Sequence, residues 1–461
     1  MVSLSDTETV IRSLRLSLSH IFLALRYWQR LGVLPVFFIF LLLFVVGIAL
    51  LSIPAASETS ISFSERLTTV FSAVTTAGFS PLPISASWSF FGEGILAVLV
   101  LFGGFFYMVT ASFLLWMLGQ KFGFRDSSMK RLYIGTPSLA EKLSFVRTIF
   151  LIVLGLQFLG AVFLVFAFLI DGFSISTALW WGPFHSITSF NNAGFALHPD
   201  EFTFFRGSPI VLATSGFLAF CGAIGPIPLS FLLYRRKNKK IPMDGKVIFL
   251  GFLIVLFFGM AMFLITEWTN PETLAVMDSW KRPFIAFFES SMRSTGYSVF
   301  DIESLRLETQ LVHTALMAIG GAAGGAAGGL KIGLIFILAI SIFSTLRGYS
   351  EIKFRRTIFP EQLMRQALVL LFAFIGSIGV LTGLLLLFGE YSMFDALFEV
   401  ISAVSLAGFS SEGFISNKDS NVILSIAMLI GRFLPIMVVI EMTRPRVRPN
   451  FHRPEDNVLF G

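Results

Sequence analysis

The chain alternates long apolar runs with polar connections. Eight such runs lie at 35–53, 94–118, 148–170 and 210–233 in the first half, and at 247–266, 312–343, 368–388 and 422–440 in the second. Most are close to the ~20 residues that an apolar helix needs to cross a bilayer core, so the pattern predicts eight membrane spans. The run 312–343 is too long for one span and is interrupted by glycines. Within each successive pair of runs lies a shorter apolar segment: 64–74, 177–190, 280–292 and 393–404. At 11 to 14 residues these are too short to span and predict re-entrant helices. Ser62 with Glu65, and Ser392 with Asp395, have the spacing of an N-terminal capping box.

Each short segment runs into a compact glycine-centred turn: "SAVTTAGFS" at Gly78, "SFNNAGFAL" at Gly194, "SMRSTGYSV" at Gly296 and "SAVSLAGFS" at Gly408. The four glycines are 116, 102 and 112 residues apart, which reads as a fourfold internal repeat. The expected fold is therefore an all-α polytopic membrane protein with four span–pore-helix–filter–span repeats. These would surround a pseudo-fourfold central pore, with eight spans in all. The expected units are a cytoplasmic N-terminal segment 1–33, repeats at 34–118, 148–233, 247–343 and 366–440, and a cytoplasmic tail 441–461.

Composition supports the membrane assignment. Of 461 residues, 55% are hydrophobic and 13% charged, with mean hydropathy +0.82; soluble domains carry about 25% charged residues. The single cysteine, Cys221, excludes an internal disulfide. The first thirty residues hold Arg12, Arg15, Arg26 and Arg30 without a small-residue cleavage site, so the start reads as a cytoplasmic lead-in. The net charge of +6 could point to nucleic acid, but its distribution does not. The segments 1–33, 119–147, 234–246, 344–366 and 441–461 hold 25 of the 34 Lys and Arg and 10 of the 28 acids, a net +15. The opposite side carries 7 basic and 18 acidic residues, a net −11. The basic side is thus cytoplasmic, with both termini inside an inner or plasma membrane, and the acidic side would concentrate cations outside. Most of the basic bias does no more than set topology. The cluster "YRRKNKK" at 234–240 is denser than topology requires and would suit an acidic protein rim or anionic lipid.

Backbone outside a helix must, at membrane depth, be buried in protein or face water. Four glycine turns meeting at one aqueous path satisfy this condition. Glycine turns carbonyl oxygens inward without a side chain intruding, and rings of carbonyls replace the hydration shell of a monovalent cation. The turns hold no carboxylate, which argues against a divalent ion. The candidate lining is Thr75, Thr76, Ala77 and Gly78; Asn191, Asn192, Ala193 and Gly194; Ser294, Thr295 and Gly296; and Ser405, Leu406, Ala407 and Gly408. Phe79, Phe195, Tyr297 and Phe409 would wedge the turns from behind, and Arg293 would brace the third rather than repel ions.

These turns, with "GGFFYMVTAS", "GGAAGGAAGGLKIG" and "GRFLPI", resemble the Trk/Ktr/HKT superfamily of potassium transporters, and most of all its KtrB-type membrane subunits. The resemblance runs from about residue 34 to 441. It implies potassium uptake without enzymatic activity, by a homodimer with one pore per protomer on a cytoplasmic RCK ring of KtrA/TrkA type that binds nucleotide. A glycine at all four filter positions implies potassium preference, and Gly78 in particular, where serine accompanies sodium preference in plant members. A sodium-selective or poorly selective transporter of the same superfamily is the alternative, and sodium as a coupling or activating ion stays open. An intramembrane enzyme or receptor is remote, because no nucleophile motif, paired carboxylates or histidine cluster occurs; His20, His185, His198, His313 and His452 are scattered and read as structural.

The run 320–329 contains Gly320, Gly321, Gly324, Gly325, Gly328 and Gly329. Their spacing fits close helix packing, but six glycines at ~1 kcal/mol each would weaken a helix there. An unwound gate loop at 320–330 is preferred, as the resemblance also implies. The run is not a phosphate loop, since "LKI" follows it. Lys331 and Arg432 lie in apolar sequence, where a charge faces a cavity or a partner. The resemblance implies that Arg432 is a positive barrier near the pore, with an ion pair to Glu399 or Asp395 as the plainer alternative. Lys331 is balanced between a gate role and snorkelling toward the cytoplasm.

Overall fold

The apolar runs form helices in a computed structural model that describes residues 34–121, 139–233, 243–349, 351–354, 357–411 and 418–443. The N-terminal segment, the basic cluster at 234–240 and the tail from 444 onward lie outside the described residues. Among the described residues, five helices are long and apolar enough to cross a membrane: Phe90–Phe113, Ser144–Ile170, Gly245–Glu267, Glu361–Phe388 and Lys418–Val438. Phe37–Leu51, Pro209–Ile224 and Ile332–Leu346 are shorter apolar helices.

Two of the apolar runs are interrupted, 210–233 against the expectation of one continuous span and 312–343 at its glycines. The run 210–233 divides at Gly225 into Pro209–Ile224 and Pro226–Leu233. Pro226 has no N–H to offer the carbonyl of Gly222 four residues back, and its ring disfavours a helix through that point. The run 312–343 is two helices, Leu307–Ala318 and Ile332–Leu346, joined by irregular backbone. The all-helical expectation also needs correcting, because Ile352–Phe354 and Thr357–Phe359 pair as a small antiparallel ribbon. Alternating β-branched and aromatic residues favour that ribbon. Phe336 of the preceding helix anchors it with ring centroids 5.2 Å from Phe354 and 6.3 Å from Phe359.

The four short helices are Phe63–Thr75, Ile175–Phe190, Arg282–Met292 and Met393–Ser405. Ser62 and Glu65 make the full reciprocal capping box. Ser392 makes only half of its box: it accepts from the Asp395 N–H, but Asp395 turns to the Ser392 hydroxyl at 2.5 Å instead of the cap backbone. Aspartate is one methylene shorter than the glutamate of a capping box. Ser174 caps the second short helix, and Pro283 occupies its first turn's place in the third.

The helices sort into inner and outer sets by burial. In Phe90–Phe113 and Lys418–Val438, each following a short helix and its turn, 56% of the apolar window is buried. The share falls to 33%, 22% and 28% in Ser144–Ile170, Gly245–Glu267 and Glu361–Phe388, which precede short helices. Exposed Phe158, Phe166, Phe257, Phe258 and Leu387 on these outer helices form the apolar surface that lipid requires. The C-terminal halves of the short helices and the turns that follow them are buried within, whereas Phe63, Ile175, Phe284 and Met393 near their N-termini stay exposed.

Candidate functional site

The four turns share one backbone device. Thr76, Asn192 and Leu406 close the first, second and fourth short helices in the left-handed region, at φ 56°, 54° and 56°. Gly78, Gly194, Gly296 and Gly408 follow with φ of 89°, 62°, 87° and 78°. The third turn reaches its glycine without a left-handed residue, through a Thr295 N–H bond to Met292. Positive φ at the glycines is where a side chain is strained, and the surroundings add a second restriction.

Each glycine faces the carbonyl that precedes the next glycine. A Cβ on Gly78 would stand 2.8 Å from the Ala193 oxygen, and one on Gly194 1.8 Å from the Thr295 oxygen. One on Gly296 would stand 3.0 Å from the Ala407 oxygen, and one on Gly408 2.4 Å from the Ala77 oxygen. First turn meets second, second meets third, third meets fourth, and fourth returns to first. The turns therefore form a closed ring of backbone.

Side chains of the turns brace this ring by hydrogen bonds. Asn192 Oδ1 accepts from Ser294 Oγ at 3.2 Å and Thr295 Oγ1 at 3.0 Å, and its amide donates to Ala219 O at 3.3 Å. Thr75 Oγ1 donates back to Phe71 O at 2.6 Å. Phe79, Phe195, Tyr297 and Phe409 are all buried behind their turns. Tyr297 adds what phenylalanine cannot: its hydroxyl donates to the Phe195 carbonyl and pairs with Thr188 Oγ1 at 2.7 Å. Arg293, also buried, donates to Ser290 O at 3.2 Å and Ile319 O at 3.4 Å.

Glycines on the following helices let the ring sit close. Gly103, Gly222 and Gly431 lie against the carbonyls of Val74, Phe190 and Val404, where a Cβ would come within 2.2, 1.7 and 2.0 Å. Gly104 makes room for the Asn191 amide, which itself donates to Ile187 O at 2.9 Å.

On one side the ring opens into a vestibule of about 710 Å³, whose described lining includes the four turn glycines with Asp200, Glu201, Asp301, Glu303 and Arg206. Glu201 lines this wall and is solvent-exposed. Enclosure by protein, and then the Asp301 charge, pushes its carboxyl up to about 7.

Against the fourth turn lies the glycine run, which is not helical between Ile319 and Lys331. Gly328 approaches the Ser405 carbonyl, with 2.2 Å left for a Cβ. Gly320 and Gly321 donate to Leu330 O and Gly328 O at 3.0 and 3.1 Å, closing the loop on itself. The break at Gly225 explains its docking. Ala326 and Ala322 donate to Gly222 O and Ala223 O at 2.8 and 2.9 Å, carbonyls that a continuing helix would have used. Gly324 and Gly325 pass against Gly225 itself.

The two intramembrane cations meet at this loop. Arg432 donates to Ala326 O at 2.6 Å and stacks 3.6 Å from the Tyr107 ring centroid. Lys331 donates to Ala327 O at 2.7 Å with its ammonium 5.4 Å from the same ring. The guanidinium thus engages the loop and an aromatic face, not the carboxylates considered from sequence. Tyr107 carried no signal in the sequence, lying in an apolar run one residue from Phe106. Glu289 was likewise not legible; its partners appear only once the chain is folded.

The family profile "TrkH: Cation transport protein" matches residues 82–446. The chain is 26% identical over 427 residues to the Ktr system potassium uptake protein B of Bacillus subtilis, covering 92% of this chain and 95% of that protein. It is 27% identical over 435 residues to the potassium/sodium uptake protein NtpJ of Enterococcus hirae, with 92% and 95% covered. The crystal structure of the potassium transporter TrkH from Vibrio parahaemolyticus superposes with TM-score 0.65 at 17% identity, covering 84% of this chain and 79% of that one. The chain belongs to the TrkH family of cation transport proteins, as a multi-pass membrane protein similar to the KtrB subunit.

Proposed function

We propose that this protein is the membrane subunit of a potassium uptake system and conducts the ion through the ring of backbone carbonyls at the four glycine turns. The closed cyclic contact of the turns carries the reading: carbonyls fixed by positive-φ glycines in a ring provide a dehydrated monovalent cation with oxygen ligands on all sides. In this reading eight helical spans surround a pseudo-fourfold pore, and residues 75–78, 191–194, 294–296 and 405–408 form its selectivity filter. The short helices direct their partially negative C-termini at the ion. The acidic vestibule concentrates cations in front of the filter. Behind it the 320–329 loop, held by Arg432 and Lys331, is the gate.

Relatives named for potassium uptake support the ion. The relative named for potassium and sodium supports a second reading, a poorly selective or sodium-carrying transporter. Growth of a host lacking its own potassium uptake separates them. Rescue at limiting potassium supports the first, uptake of sodium without rescue supports the second, and neither overturns both.

The proposed assembly is a homodimer on a cytoplasmic RCK nucleotide-binding ring, with the basic segments facing it and both termini cytoplasmic. Charge reversal of Arg235, Arg236, Lys239 and Lys240 is expected to abolish co-purification with that ring in detergent. Undiminished co-purification, with activity lost only in membranes of anionic lipid, would assign the cluster to lipid.

A further inference from the structure

The position three residues beyond each filter glycine is occupied by Pro81, Leu197, Val299 and Ser411, and all four are buried. A buried backbone N–H needs an acceptor, and these lie where the chain leaves the turn and has no helix to supply one. In three repeats the acceptor is a buried side chain on the short helix of the same repeat. His185 Nε2 accepts from the Leu197 N–H at 3.3 Å. Glu289 Oε1 accepts from the Val299 N–H at 2.8 Å and from Ser298 Oγ at 3.0 Å. Glu399 Oε1 accepts from the Ser411 N–H at 2.8 Å and from Ser410 Oγ at 2.7 Å. His185 fits this role in one tautomer, with Nδ1–H donating to Trp181 O at 2.8 Å and Nε2 left to accept. In the first repeat the residue is Pro81, which has no N–H, and that repeat needs no such side chain.

We propose that His185, Glu289 and Glu399 are positioning residues that strap the outer limb of the second, third and fourth filter turns to their short helices, and that Pro81 provides the first turn with a strap-free equivalent. Three unlike local sequences converge on one backbone atom, and the only repeat without an acceptor lacks the donor. This regularity is what a shared mechanical need produces. A strap fixes the turn from outside, so the filter carbonyls keep the spacing that suits potassium and are not free to close on a smaller ion. The chemistry is acceptance of a main-chain hydrogen bond, not provision of charge.

The inference rests on the filter reading above, and its test separates the two. Potassium and sodium uptake are measured with the full chain in cells and in proteoliposomes for Glu289 and Glu399 changed to Gln, Asp and Leu, and for His185→Leu. Gln keeps an oxygen at the same reach, whereas Asp withdraws it by one methylene and Leu removes it. The expected result is that Gln variants retain potassium-over-sodium discrimination, and that Asp and Leu variants lose about tenfold or more of it as buried N–H groups go unpaired. Should the Leu variants fail to assemble, the Gln and Asp pair still decides. Equal behaviour of Gln and Asp, or failure of Gln variants to assemble or discriminate, would overturn the strap. Absence of potassium uptake by the unaltered protein would instead overturn the filter reading.

Discussion

Replacing Gly78 by serine perturbs the ring in a way the structure sizes. Two costs add. The backbone sits at φ 89°, where a residue with a Cβ is strained by about 1–2 kcal/mol. The new Cβ would also lie 2.8 Å from the Ala193 carbonyl oxygen and 3.0 Å from that of Thr295. Both neighbours are backbone, so relief must come from moving the carbonyls proposed to bind the ion. Gly172 isolates the first cost: it has the same φ of 89° but nothing within 4 Å of an added Cβ. Gly172→Ser is therefore expected to lower stability slightly and leave transport intact. Gly78→Ser should reduce potassium-over-sodium discrimination about 5- to 100-fold, the ratio equivalent to ~1–3 kcal/mol of lost ligand geometry. Competition of sodium against labelled potassium uptake, at matched membrane expression, reads the ratio. Unchanged potassium affinity and sodium rejection in Gly78→Ser, with the protein correctly inserted, would refute the filter assignment.

Shortening the 320–329 run by half should raise flux and loosen its dependence on a cytoplasmic partner; a folded variant that transports less would make the run a packing element. Arg432→Gln removes the 2.6 Å bond to Ala326 and the stacking on Tyr107. Charged hydrogen bonds contribute ~1.5–3 kcal/mol, so lower thermal stability with several-fold faster uptake is expected, and slower uptake by a folded variant would count against a barrier. Because the Glu201 carboxyl is pushed up to about 7, it is neutral below that pH and charged above it. Apparent potassium affinity should therefore improve as external pH rises through that value, and Glu201→Gln should flatten the profile; an unaltered profile in the variant would remove Glu201 from ion entry.

The parts of this architecture legible in the sequence are those fixed by local chemistry. Gly78, Gly194, Gly296 and Gly408 were readable because a positive-φ turn selects glycine wherever it recurs. The Ser62 cap was readable because its partner, Glu65, is three residues away. The half-made cap at Ser392 was not, since one methylene decides it. Nor was the division at Gly225: Pro226 was visible, but its consequence, two carbonyls freed to hold the glycine loop, belongs to tertiary structure. The hold of Asn192 on Ser294 and Thr295 was not readable either, since it lies 102 and 103 residues away in sequence. His185 read as a scattered histidine for the same reason. Tyr107 lay hidden among phenylalanines until Arg432 was found over its ring.

The central claim, that backbone carbonyls of the four turns hold a monovalent cation, is tested most directly by anomalous diffraction from crystals of the protein grown with thallium, a potassium surrogate. The account predicts anomalous density on the axis of the ring, enclosed by the carbonyls of residues 75–78, 191–194, 294–296 and 405–408, that is lost when sodium replaces thallium. Density confined to the acidic vestibule around Glu201 and Asp301, with none within the ring, would contradict it.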